Sequence, residues 1–321
     1  MSDAATSASS QVAKPVRFPA TDGYSLGGFL WSGNGCADTP RPVVIITSAT
    51  SVRCRYYGRF AAYLHAHGYD VLTYDYRGIG ESRPARMRGF NADWADWGEK
   101  DFEGALRFAA DRFGDRPTHI VAHSIGGFAL GLAPSARRIR RVVSVGAQYA
   151  YWRDYALRER LLMLWKWHIV MPILTRIFGY FPAKRLGWME DTPAGIATDW
   201  SRMGARFEET IRPGRMINGR TEATLLRERF LQVTAAILAV SLSDDPHGTV
   251  GAVNRLLAYF TSANRLHLHV RPKDIGHDSI GHFAFFHDRF RDTLWPLALY
   301  WLRHGKVPDG LSKSLIDLNR R

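Results

Sequence analysis

The chain has 321 residues, 46% of them hydrophobic and 23% charged, with a formal net charge of +13. These proportions suit one large α/β domain or two smaller ones, and exclude a disordered, collagen-like or disulfide-stapled chain. Two cysteines, Cys36 and Cys54, make neither a disulfide framework nor a metal pattern, which points to a reducing, cytoplasmic setting.

The start, Met1 to Gln11, is small and polar and lacks the basic and apolar blocks of a secretion signal, so residues 1–13 are expected to be disordered. Val16–Pro19 and Leu26–Ser32 read as strands around an Asp22-Gly23 turn, and Gly33 to Pro42 as a loop. Val43–Ile46 is a continuous apolar run, as expected of a strand covered on both faces. Tyr57, Phe60, Ala61 and Leu64 share one face of a helix closed by Gly68. Val71–Tyr74 is the next strand, followed by a glycine-rich turn, and Asp93 to Phe113 has helical spacing of Phe102, Leu106, Ala109 and Phe113.

His119–Ala122 then reads as a buried strand, His123-Ser124-Ile125 as a sharp turn, and Gly126-Gly127 as the opening of an apolar helix to Leu132. A serine at such an apex has a strained backbone, and its hydroxyl stands clear of the sheet. Its neighbours two positions away, Ala122 and Gly126, must be small because strand and helix crowd there. Val142–Val145 is a further buried strand, and the alternation predicts a parallel sheet with helices on both faces. From 149 to about 228 no buried strand is expected. The segment is rich in Trp and Tyr and reads as a helical insertion. Its most apolar stretch, Leu161 to Phe181, is interrupted by Lys166, His168, Pro172 and Arg176, which argues against an integral membrane segment. Ala236–Val240, a helix Val250–Phe260, Leu266–Val270 and a long closing helix Phe283–Leu302 complete the pattern.

Three further pieces join the Ala-x-Ser-x-Gly elbow: the turn Asp75-Tyr76-Arg77-Gly78-Ile79-Gly80-Glu81-Ser82, the acidic Ser243-Asp244-Asp245-Pro246, and Ile280-Gly281-His282-Phe283. On these residues the chain resembles the α/β-hydrolase superfamily over about 14–305, near the serine-aminopeptidase and monoglyceride-lipase branch. The resemblance implies a mostly parallel central sheet, a core of 14–148 and 229–305, a helical cap at 149–228 and a tail at 306–321. The chain order Ser, Asp, His is that of the superfamily.

A serine hydroxyl needs a neighbouring base to attack. Ser124 is the expected nucleophile and His282 the base, with His277 as its rival. Asp245, with Asp244 as the alternative, would orient the imidazole. The oxyanion donors would be the N–H of Ile125 and, from the loop after Val43–Ile46, that of Ala49, with Thr50 as alternative. Asp75 and Arg77 are read as organising their turn. His267 and His269 have a metal-compatible spacing without further ligands, so no metal and no cofactor are expected. Tyr149, Trp152 and Trp165 are candidate substrate contacts in the aromatic insertion. The implied activity is a serine hydrolase acting on a small carboxylic ester, with an acyltransferase or cofactor-free perhydrolase, or a non-catalytic binder, as alternatives. No nucleic-acid motif accompanies the positive charge, so a nucleic-acid partner is not expected. Oligomeric state is not encoded in these patterns.

Overall fold

A computed structural model describes residues 13–33 and 40–318. Most of the N-terminal segment expected to be disordered, Cys36 and most of the Gly33–Pro42 loop lie outside that range.

Nine strands form the central sheet. In chain order they are β1 (Lys14–Pro19), β2 (Ser25–Trp31), β3 (Val43–Thr47), β4 (Asp70–Tyr74), β5 (Thr118–His123), β6 (Ile139–Val145), β7 (Ala236–Leu242), β8 (Asn264–Val270) and β9 (Leu315–Ile316). Their spatial order is β1-β2-β4-β3-β5-β6-β7-β8-β9. The run from β4 to β8 is parallel, and β1, β2 and β9 pair antiparallel at the edges. Along β3, Val43 and Ile45 enter one core while Val44 and Ile46 enter the other. A period of two on an all-apolar strand therefore feeds both faces at once.

The core helices are α1 (Gly58–Ala66), α2 (Glu103–Phe113), α3 (Ile125–Leu132), α4 (Val250–Leu257) and α5 (Leu294–His304). The helical run leading into α2 begins at Trp94, capped by Asp93 and Asp96, each accepting the other's backbone N–H. The long closing helix expected from Phe283 starts only at Leu294. Pro296 explains this: it has no N–H for an interior helical bond and fits only in a first turn. Residues 283–290 instead form short 3₁₀ turns that bring Phe285, Phe286 and Phe290 into the core.

The 146–235 connection between β6 and β7 is mainly helical, with two short two-stranded ribbons, Tyr180–Phe181 with Thr192–Pro193 and Met216–Ile217 with Arg220–Thr221. Its Arg212 reaches into a carboxylate cluster, 2.7 Å from Asp93, 2.8 Å from Asp96 and 2.6 Å from Glu222, which ties the connection to the helix at Trp94. Lys166, His168, Pro172 and Arg176 interrupt the apolar stretch from Leu161 without breaking its helix. Arg160–Phe178 is one helical run, and among the described residues it is the one helix long and apolar enough to cross a membrane by length and composition. Wider i→i+5 turns over Leu164–Val170 lead directly into Pro172 and accommodate its missing donor.

Candidate active site

Ser124 follows β5 and caps the start of α3 with φ 54° and ψ −120°, outside the regions that non-glycine residues favour. Its N–H donates to Val145 O at 3.0 Å, so the neighbouring strand holds the bend. The crowding expected at the elbow is real: a Cβ on Gly126 would lie 2.7 Å from Thr47 O and 2.5 Å from Thr47 Oγ1. Strand β3 thus leaves room for glycine alone.

The other site residues arrive from the same carboxyl edge of the sheet, where open α/β sheets present their ligand crevice. Asp245 follows β7, and His282 follows β8. His282 Nδ1 lies 2.7 Å from Asp245 Oδ2. A carboxylate only accepts, so Nδ1 is the donor, and in the neutral tautomer this fixes, Nε2 carries the lone pair. Asp245 Oδ1 accepts the N–H groups of His247 and Gly248, each at 2.8 Å. Burial would raise the Asp245 carboxyl, but the charge and hydrogen bond of His282 and these donors outweigh it and lower the pKa to about 2. Gly146, at φ 53°, backs the pair: a Cβ there would stand 2.7 Å from Asp245 Oδ2 and 3.1 Å from His282 Nδ1.

Asp244 faces elsewhere. Its Oδ2 accepts from Ile280 N at 2.7 Å and Gly281 N at 3.0 Å, which shapes the loop that presents His282. His277 packs at a tilt against Phe290, with ring centroids 4.6 Å apart, and does not line the cavity at Ser124.

That cavity has a volume of about 240 Å³. Ser124, Ile125, Ala49, Thr50, Gln148, His247 and His282 contribute to it, and its wall is aromatic, from Trp94, Trp167, Trp188, Trp200 and Phe283. Ser124 Oγ takes a hydrogen bond from Gln148 Nε2 at 3.4 Å. As the first amide of α3, Ile125 N–H has no intrahelical acceptor.

Ala49 differs from expectation. It lines the cavity, but its N–H donates to Tyr57 Oη at 3.0 Å. Among the described residues no acceptor takes the Thr50 N–H. The Ala49 bond begins a chain that the sequence reading missed. Tyr57 Oη is 2.7 Å from His123 Nδ1, and His123 Nε2 is 2.8 Å from His282 O. A carbonyl only accepts, so Nε2 donates to it and Nδ1 accepts from the tyrosine. Burial, then the nearby His282, lowers the His123 pKa to about 3 and holds the ring neutral. The residue beside Ser124 thus links the loop after β3 to the backbone of His282. His247, its ring 4.9 Å from that of His282, is likewise lowered to about 3, chiefly by burial.

The three aromatic candidates do not reach the cavity. Tyr149 is buried and donates to Ala205 O at 2.7 Å. Trp152 packs against the core, and Trp165 is 52% exposed. Trp167, two residues on, takes the place expected of Trp165. Two helical positions differ by about 200° in direction, so helix rotation decides which one faces inward. Trp94, which opens the helical run before α2, also lines the cavity.

Asp75 and Arg77 organise their turn. Asp75 accepts from Cys54 N at 2.6 Å and Glu81 N at 2.8 Å, and Arg77 pairs with Asp22 and Asp101. His267 and His269 both bond Ser241 Oγ, at 2.7 and 2.9 Å. Among the described residues no three His, Cys, Asp or Glu side chains are grouped to hold a metal ion.

No curated protein matches this sequence. A soluble variant of monoglyceride lipase from Saccharomyces cerevisiae, solved with a substrate analog, superposes with a TM-score of 0.65 at 14% identity, covering 93% of this chain and 98% of that one. The Pyrococcus furiosus esterase Pf2001 gives 0.57 at 16% identity, with 92% of each chain covered. Monoacylglycerol lipase from Paleococcus ferrophilus gives 0.53 at 12%, covering 91% and 98%. Likeness at such identities establishes a shared α/β-hydrolase fold. The model of the hydrolase family described as serine aminopeptidase, S33, matches residues 38–236, well over half of the chain, and the chain belongs to that family.

Proposed function

We propose that the chain is a serine hydrolase that cleaves a small carboxylic ester through an acyl-enzyme, with Ser124 as nucleophile, His282 as base and Asp245 as orienting acid. The observation that carries this reading is the strained Ser124 lining one cavity with an imidazole whose Nδ1 is fixed by Asp245 at 2.7 Å. Ser124 Oγ attacks the ester carbonyl carbon and gives its proton to His282 Nε2. The charge that develops on the carbonyl oxygen is met by the N–H groups of Ile125 and Thr50, the second chosen over Ala49 because the Ala49 amide is engaged by Tyr57. The tetrahedral species collapses, the alkoxide leaves with the proton from Nε2, and the acyl group remains on Oγ. Water then attacks the acyl carbon as Nε2 takes its proton, and that proton returns to Oγ as the carboxylic acid departs. Buried Asp245 stays ionised and stabilises the imidazolium in both halves.

The 146–235 connection acts as a cap, supplying Trp167, Trp188 and Trp200 as an apolar wall that excludes water. A volume of about 240 Å³ favours a short acyl or alcohol group. The esterase and lipase names of the structural neighbours support an ester over an amide, as an analogy of fold. A fluorophosphonate probe should label the chain at Ser124, and Ser124→Ala should abolish both labelling and p-nitrophenyl ester turnover. Labelling that survives the substitution would place the nucleophile elsewhere.

A further inference from the structure

The helix that walls the cavity on one side offers solvent an apolar stripe on the other. Leu161, Trp165, Ile169, Ile173 and Ile177 recur every four residues along it and are between 46% and 78% exposed, and Leu157, in the turn just before it, is 80% exposed. A plain α-helix turns about 400° in four residues, so such a stripe would drift by about 40° at each step. The i→i+5 turns over Leu164–Val170 turn less per residue and bring it back into line. The opposite face is committed to the protein: Met163, Trp167 and Met171 are buried, and Trp167 stacks on Trp200 at 4.7 Å. A helix so attached cannot cross a bilayer, but it can lie in an interface with its free face down.

Charge identifies the surface. Between residues 153 and 185 there are seven Lys or Arg and two Asp or Glu, and one of those acids, Asp154, is already paired with Arg255. Arg153, Arg158, Arg176, Lys184 and Arg185, near the stripe in sequence, are exposed, and of these Lys184 lies 3.9 Å from Glu190. A row of large aliphatic side chains and a tryptophan, fringed by cations, matches an anionic lipid surface. A second copy of this chain would bring the same positive fringe against itself.

We propose that Arg160–Phe178 docks the protein on anionic membranes, lying in the plane of the headgroups, with the cavity behind it. This does not rest on the hydrolase reading, because binding is measured without turnover. The full chain should co-sediment with vesicles of phosphatidylglycerol mixed with phosphatidylcholine, and about tenfold or more weakly with phosphatidylcholine alone. Ile173→Glu/Ile177→Glu should lose about tenfold or more of the binding while keeping its melting temperature and its far-UV circular dichroism. Failure to bind the mixed vesicles, equal binding to both kinds, or a variant that binds like the parent would overturn the proposal. So would a concentration-dependent dimer in sedimentation velocity that the same variant dissolves.

Discussion

Replacing Asp245 by asparagine would separate the proposed orienting role of its carboxylate from its shape. Asp245 Oδ1 is fixed by two backbone donors, His247 N and Gly248 N, each at 2.8 Å. An asparagine must keep its carbonyl oxygen there, because turning its amide to those N–H groups would set donor against donor. Its NH₂ then occupies the place of Oδ2, 2.7 Å from His282 Nδ1. To avoid a second clash of donors, His282 must shift its proton from Nδ1 to Nε2, the nitrogen that is to accept from Ser124. The wrong tautomer and the lost negative charge together should lower kcat/KM by about 10³- to 10⁴-fold, or roughly 4–5.5 kcal/mol of transition-state stabilisation. Asp244→Asn is the control: its carbonyl can still accept from Ile280 N and Gly281 N, and the loss should stay below about tenfold. The assay is p-nitrophenyl acetate hydrolysis at neutral pH, with melting temperature recorded for both variants. Equal losses in the two variants, or a loss under about tenfold in Asp245→Asn, would refute the assignment.

Gly146→Ala should damage the same pair from behind. A positive φ costs a non-glycine residue about 1–2 kcal/mol, and forcing a Cβ to within 2.7 Å of Asp245 Oδ2 adds roughly 1–3 kcal/mol. Ester turnover should fall by about 100-fold as the Asp245–His282 pair is displaced, and activity close to the parent's would show that the pair tolerates movement. Acid should destabilise the fold through its buried histidines. Burial holds the pKa values of His123 and His247 at about 3 and those of His119 and His267 at about 4, all below the unfolded value, so their stability is present above about pH 6.5 and lost as pH falls. Asp101, at about 6, and Asp199, at about 7, are raised by burial and oppose this with two protons bound only in the folded chain. Near pH 5 these six groups alone take up about two protons on unfolding (four histidines less two aspartates), a slope on the order of 2.7 kcal/mol per pH unit. Urea midpoints between pH 6.5 and 4.5 should therefore fall steeply, and a flat profile would mean that the histidines are charged in the native state.

The sequence by itself determined the sheet, the elbow and the chain order of Ser124, Asp245 and His282. These are local matters: an all-apolar run such as Val43–Ile46 suits only a doubly covered strand, and Ala122 and Gly126 leave room for a strand-to-helix bend at Ser124. Tertiary structure decided what depends on distant partners. The Ala49 amide is engaged because Tyr57 lies between it and His123, and no spacing in the loop after β3 records that. Trp167 faces the cavity while Trp165 faces solvent because the rotation of one helix is set by its contact with Trp200. The two-residue strand β9 exists because the edge of β8 offers it a ladder. The outward apolar stripe was visible only as composition until the folded chain showed which face of the helix it had left uncovered. A residue type fixes what a group can do, whereas its direction and its available hydrogen bonds are fixed by whatever packs against it.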